Sequence, residues 1–403
     1  MNWTDYKLAE ISTNIQTGPF GSQLHQSDYS ECGTPVVMPK DLIAGHISED
    51  SIARVSEDHV ERLSRHKIEE GDILYSRRGD VGRCAYAGLK EVGWLCGTGC
   101  LRVSINAQIA NSKYVFYQLQ KAETVGWVVN HAVGATMLNL NTSILSDVPI
   151  KLPSLEIQNK TVRVLSAYDA LIENNQHQID LIEEAAQRLY KEWFVDLRFP
   201  GYEKTEIVDG VPEGWHKDAV DSKITLLSGY AFKSNEFVDK GQYKIVTIKN
   251  VKDGVFDGNN VSLIDEIPSK MPKHCVLEEG DILLSLTGNV GRVCLVYGDN
   301  YLLNQRVAKL KSDIPGFAYC LFRSKDMFDE MNNLANGAAQ QNLSPIRTGK
   351  VEVCFPSEGI IQRFETTVKP MIDQEIELNK MNVVLAEARD RLLPKLMSGE
   401  IEL

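Results

Sequence analysis

Between residues 155 and 196 the apolar positions return every seven residues. Leu165, Ile172, Ile179, Ala186 and Trp193 form one seam, and Tyr168, Asn175, Ile182 and Leu189 form a second, three residues on. No Gly or Pro interrupts the stretch before Pro200-Gly201. Two such seams predict one long helix of the coiled-coil kind. A second, less regular run carries Phe364, Met371, Leu378, Leu385 and Leu392 at the same spacing, flanked by Ile361, Val368, Ala386 and Leu393. Pro370 falls inside it and predicts a kink or a late start. A helix of about forty residues spans about 60 Å, longer than a small domain is wide. Its apolar stripe needs a partner, so the two runs are expected to pack on each other, antiparallel. Asn175 sits on a seam and Asn379 at the matching place in the second run, which suits either a buried polar residue that fixes register or one that simply faces solvent. The outer faces are acidic (Glu173, Glu183-Glu184, Glu387), which suits solvation or the docking of other subunits.

Outside these runs the pattern changes to short, strongly apolar strand segments, and it does so twice. Val36–Met38, Ile73–Ser76, Arg83–Ala87 and Val148–Leu152 have counterparts at Ile245–Ile248, Ile282–Leu286, Arg292–Tyr297 and Val351–Phe355. A helical stretch precedes the last strand of each set, at 112–121 and 316–331. The string EEGDILYSRRGDVGR (69–83) returns as EEGDILLSLTGNVGR (278–292), identical at eleven of fifteen positions. GATMLNLN (134–141) returns as GAAQQNLS (337–344), and LPSLEIQ (152–158) as FPSEGIIQ (355–362), each of the latter opening a long helical run. A period near 200 residues means duplicated domains rather than a solenoid of small repeats. The expected class is α+β, with two similar domains separated by two long antiparallel helices forming a coiled-coil spacer. The boundaries are 1–153 and 201–356 for the domains, 154–200 and 357–403 for the helical segments.

Composition narrows the possible functions. The chain of 403 residues has a net charge of −12, and none of its four segments is basic. That argues against a free-standing, nonspecific nucleic-acid binder, whose affinity comes from neutralising phosphates. Any DNA contact must use locally placed positive groups or borrow them from partner subunits. No apolar run approaches membrane-spanning length, and the N-terminus shows no signal-peptide pattern, so the expected location is the cytoplasm. The eight cysteines are scattered singly without a C-x-x-C pair, which favours buried reduced thiols over disulfides or a zinc site.

No phosphate loop, dinucleotide fingerprint, H-E-x-x-H or nucleophile elbow is present, and Asp253–Gly258 is only half a calcium loop. A binding protein is therefore the default. The repeated string reads as strand, turn, strand, with Gly79-Asp80 and Gly288-Asn289 closing the turns. Within its constant frame the tip changes: Tyr75, Arg77 and Arg78 become Leu284, Leu286 and Thr287. Two readers of different sequences would show this, and so would a loop that merely faces solvent. Arg83 and Arg292, kept in both copies, suit either a salt bridge to a neighbouring Asp or a phosphate anchor. Lys40-Asp41 matches Lys249-Asn250, and the loop Asn139-Leu140-Asn141 matches Gln340-Gln341-Asn342-Leu343-Ser344. Asn and Gln can bond adenine bidentately and Arg guanine, although Asn-rich loops also form plain turns. The candidate DNA contacts are thus Lys40, Arg77, Arg78, Arg83, Asn139, Asn141, Lys249, Asn250, Asn289, Arg292, Gln340, Gln341 and Asn342.

The two copies with heptad helices between them resemble the specificity (S) subunits of type I restriction–modification systems. The resemblance rests on GDILLSLTGNVGR, the G-A-x-x-x-N-L loops and the P-S-x-x-x-I-Q helix starts, and extends through LYKEWFVDLRFPG (189–201), VPEGW (211–215) and LLPKLMSGEI (392–401). It implies two target-recognition domains, each reading half of a bipartite, asymmetric site in double-stranded DNA. It implies a helical ruler on which two methyltransferase (M) subunits dock, and restriction (R) subunits in the full complex. It also implies no catalysis and no cofactor on this chain: S-adenosylmethionine belongs to the M subunits, and ATP and cleavage to the R subunits. The competing reading is a two-headed protein-binding scaffold, which would co-purify with no methyltransferase and shift no DNA.

Overall fold

The computed structural model describes residues 3–134, 137–259, 261–335 and 341–402. The chain folds into two compact units, one of residues 1–169 with 387–403 and one of residues 170–386. Both are α+β, and they repeat one topology.

In the first unit a four-stranded antiparallel sheet has the order Ser12–Thr17, Cys100–Ile105, Ile73–Ser76, Cys84–Tyr86. In the second, the order Ile224–Ser228, Val307–Ser312, Ile282–Ser285, Val293–Leu295 repeats it. A smaller sheet beside each contains one parallel pair: Thr34–Val37 with Leu95–Cys96, and Tyr243–Val246 with Tyr301–Leu303. The ends of each copy are stitched together by one antiparallel pair, Thr4–Lys7 with Pro149–Leu152 and His216–Ala219 with Glu352–Phe355. The predicted strands are all present, shifted by one or two residues at their ends. The helical stretch expected over 316–331 consists of two helices, Pro315–Arg323 and Lys325–Leu334, divided at Ser324, whose hydroxyl caps the second.

The acids of the repeated string explain its persistence as a frame. Asp72 Oδ2 accepts the Glu69 amide and Asp281 Oδ2 the Glu278 amide, both at 2.8 Å, closing the turn that launches the central strand. Burial pushes both carboxyls up, and each is countered by a cation from the neighbouring strand, Arg102 or Lys309. Six of the eight cysteines are buried and all eight are free; Cys32 alone is exposed.

Leu155–Tyr190 is one α-helix, continued by a π-turn over Lys191–Val195. The second long helix runs from Glu358 to Ser398. The late start expected from Pro370 is not found: neither Pro370 nor Pro394 ends the helix. Phe364, Val368, Ile372 and Ile376 are buried on both sides of Pro370, and this burial offsets the cost of a missing hydrogen bond, about 3 kcal/mol. The helices are antiparallel. Asp169 accepts from Arg389 at 2.9 Å in the first unit, while Asn175 meets Asn382 and Tyr190 packs on Phe364 in the second.

The seams do more than zip the helices together. Leu165, Leu396 and Met397 belong to the core of the first unit, alongside Tyr75 and Leu101 of its sheet. Ala186, Tyr190, Phe364 and Val368 belong to that of the second, alongside Leu284 and Phe317. Polar locks add to this. Glu365 accepts the amides of Gly316 and Phe317 at 3.0 and 2.6 Å, capping the helix Pro315–Arg323, and Gln158 accepts the Asn111 amide at 2.9 Å in the first unit.

Candidate nucleic-acid interface

Each central strand leads into a tight tip where Gly79 and Gly288 both adopt φ of 75°, a backbone that favours glycine. The polar loop before the last strand docks on this tip in the same way in each unit. In the first, the Gly79 amide donates to Leu138 O (3.0 Å) and the Leu140 amide to Arg77 O (2.8 Å). In the second, Gly288 donates to Gln341 O (3.0 Å) and Leu343 to Leu286 O (2.7 Å). Leu140 and Leu343 are the buried anchors of these loops. Two sequence strings about sixty residues apart thus form one surface, twice.

This surface gathers Arg77, Arg78, Arg83 and Asn139 in the first unit, and Asn289, Arg292, Gln341 and Asn342 in the second. Arg78 is exposed and bridges the backbone of Asn139. Arg77 is half-buried, with its guanidinium carbon 5.8 Å from the centre of the exposed Phe20 ring. Its Nε and the Asn139 Oδ1 are buried without a hydrogen-bond partner among the described residues. Arg83 pairs with Asp80 through Nε (3.1 Å) and a terminal nitrogen (2.9 Å). In the second unit Asn289 replaces Asp80, and among the described residues Arg292 makes no ion pair. Asn342 Oδ1 accepts from the Thr287 hydroxyl at 3.0 Å. Gln340 lies outside the described residues.

Three candidates have structural work. Asn250 is buried, and its amide is used up: Oδ1 accepts the Thr247 amide and hydroxyl, both at 2.9 Å, and Nδ2 donates to Asp257 O and Asn259 O. Its counterpart Asp41 is also buried and accepts the Met38 amide at 2.8 Å. The Lys40-Asp41 and Lys249-Asn250 pairs recur because Asp41 and Asn250 close a loop, which corrects the expectation that Asn250 is presented for base contact. Lys40 and Lys249 beside them are exposed, with Lys40 Nζ donating to Ser51 O at 2.8 Å. Asn141 caps the short helix Thr142–Ser146, accepting the Ile144 amide at 2.8 Å.

Residues not anticipated from the sequence also reach this surface. Thr17-Gly18-Pro19-Phe20 leaves the first strand of one sheet where Ser228-Gly229-Tyr230 leaves the other. A Cβ at Gly18 would run into the Gly97 carbonyl, and one at Gly229 into that of Asn304, so both positions need the bare backbone. Gln305 and Arg306 are exposed and line, with Ser228, Thr287 and Asn342, an open cleft of about 590 Å³. The recurrence of a hydroxyl residue, a glycine and then an aromatic was the available signal, but it is far shorter than the fifteen-residue string. Among the described residues no group of His, Cys, Asp and Glu could hold a metal ion, and no helix is long and apolar enough to cross a membrane.

Known proteins share this plan. The chain is 27% identical over 301 residues to the type I restriction enzyme MjaIX specificity subunit of Methanocaldococcus jannaschii, covering 72% of this chain and 69% of that one. It is 22% identical to the HindI specificity subunit of Haemophilus influenzae, over 99% of this chain and 100% of the other. The crystal structure of a type I restriction-modification S subunit from M. genitalium shares the fold, with a TM-score of 0.60 at 17% identity, over 98% of this chain and 96% of that one. The family described as type I restriction modification DNA specificity domain matches residues 1–184 and again residues 212–380. Two matches that between them take in most of the chain show that it belongs to the type I restriction-modification specificity subunits.

Proposed function

We propose that each repeat reads one half of a bipartite, asymmetric DNA site, and that the chain carries methyltransferase and restriction subunits to that site without catalysing a reaction itself. The observation that carries this reading is the tip-and-loop surface: identical backbone wiring in both units, with Arg77-Arg78 exchanged for Leu286-Thr287. Backbone shared by two readers sets position, and side chains that differ between them set sequence. A few bidentate contacts, each worth about 1–3 kcal/mol of discrimination, suffice for a half-site. The polar faces of the long helices, including exposed Glu173, Glu184 and Glu387, are where we place the methyltransferase subunits. Those subunits bring S-adenosylmethionine, the restriction subunits bring ATP, and the assembly works on DNA in the cytoplasm with no cofactor held by this chain.

The test is a domain exchange. Residues 1–150 are replaced by those of another family member, and the methylated sites of the assembled complex are sequenced. One half-site is expected to change and the other to stay. Change in both halves, or in neither, would overturn the proposal.

A further inference from the structure

We infer that each unit carries one guanine-reading arginine at the same place on its surface, supplied from opposite sides of a single backbone hydrogen bond: Arg77 in the first unit and Arg306 in the second. The inference rests on the DNA-reading function proposed above. The Arg77 amide donates to Gly99 O at 2.8 Å, and at the matching place the Leu286 amide donates to Arg306 O at 3.0 Å. Arginine opposite glycine in one copy thus becomes leucine opposite arginine in the other.

Local packing favours a different side in each unit. Gly99 has φ of 90°, and a Cβ there would press on Pro39 Cγ at 3.2 Å, so a side chain opposite Arg77 would be strained in the first unit. Leu286 is 4% exposed and packed into the core of its unit, so the second unit fills the Arg77 position with hydrocarbon. The Arg77 stem does the same service, with Nε buried and its head beside Phe20. Arg306 is exposed in the cleft with Thr287 and Asn342.

Charge pairing sets Arg77 and Arg306, like the tip residues Arg78 and Arg292, apart from arginines committed to the fold. Arg83, Arg102, Arg198, Arg323 and Arg389 each sit against an Asp or Glu. Neither Arg77 nor Arg306 has a carboxylate partner among the described residues. A half-buried guanidinium with an unpaired donor is costly unless a ligand completes it. A planar fork beside an aromatic ring suits the two acceptors on the major-groove edge of guanine, O6 and N7.

The experiment uses the full chain assembled with its methyltransferase subunits, acting on a DNA library randomised at both half-sites and read by sequencing of methylated molecules. Arg77→Ala and Arg77→Lys should each relax one guanine position in one half-site by about tenfold or more and leave the other half-site intact. Arg306→Ala and Arg306→Lys should do so in the opposite half-site. The lysine variants keep the charge and the stem, so they decide the matter if an alanine variant does not fold. A uniform loss on all sequences, unchanged discrimination, or relaxation of the same half-site by both arginines would overturn the inference while leaving the proposed function standing. Absence of any sequence preference in the wild-type complex would overturn the function and the inference with it.

Discussion

Asn175 Nδ2 donates to Asn382 Oδ1 at 2.9 Å, joining the two long helices through a pair of which Asn175 is buried and Asn382 half-buried. The partner is one turn beyond Asn379, whose Nδ2 instead donates to the Glu375 carbonyl of its own helix. A hydrogen bond among apolar seam positions stabilises one register, because a shift of a turn separates Asn175 from Asn382. Asn175→Ala should destabilise by about 1–3 kcal/mol, since it strands the Asn382 amide. The double change Asn175→Leu with Asn382→Leu should recover the melting temperature. Thermal melts of the three proteins check this, and an Asn175→Ala protein as stable as wild type would remove the register role.

Asn250→Ala should lower stability by more than about 2 kcal/mol, because it leaves four buried hydrogen bonds broken. Sites methylated by whatever folds should be unchanged. Relaxed specificity in a protein of normal stability would contradict the structural role given to Asn250.

Arg83 and Asp80 form an exposed pair, so Arg83→Ala should cost under about 1 kcal/mol of stability. If Arg83 anchors a phosphate, affinity should fall equally on cognate and noncognate DNA, and the salt slope should shrink by about one. In the second unit Asn289→Asp would give Arg292 a carboxylate in its own turn, as Asp80 gives Arg83. Weaker DNA binding without a change in preferred sequence is the expected result, measured by titration at several salt concentrations.

Burial pushes the Glu375 carboxyl up to about 7, opposed by the Arg323 guanidinium and the Tyr319 hydroxyl. The native state then holds this proton where the unfolded chain, near the ordinary 4.5, has released it. The resulting stabilisation is complete below pH 4.5 and is lost as pH rises through about 7. It is on the order of 3 kcal/mol, at about 1.4 kcal/mol per pKa unit. Glu375→Gln should flatten the pH dependence of melting across that window; an unchanged slope would assign it to other groups.

Much of the plan was open to sequence reading because it is written as periodicity and as repetition. A seven-residue repeat needs only local geometry to become a helix with two apolar seams. A fifteen-residue string kept in two copies needs only comparison to become a common frame. Gly79, Gly288, Asp72 and Asp281 recur because a turn demands them wherever the chain goes afterwards. The candidate site was legible only in part. Arg77 and Arg78 stood out as the difference inside that frame, whereas Phe20 and Arg306 did not, lying in segments that share little sequence.

By itself the sequence determined two α+β copies, two long helices and an acidic surface that no simple DNA binder would have, all consequences of patterns read along the chain. Only the tertiary structure decided what those residues do. It turned the Asn250 amide inward, carried a helix through Pro370, paired Asn175 with Asn382 rather than Asn379, and set Arg306 across from Leu286. The physical reason is the same in each case. Whether a polar group is spent on its own fold or left for a ligand depends on donors and acceptors brought from distant segments, and on burial strong enough to override a local preference.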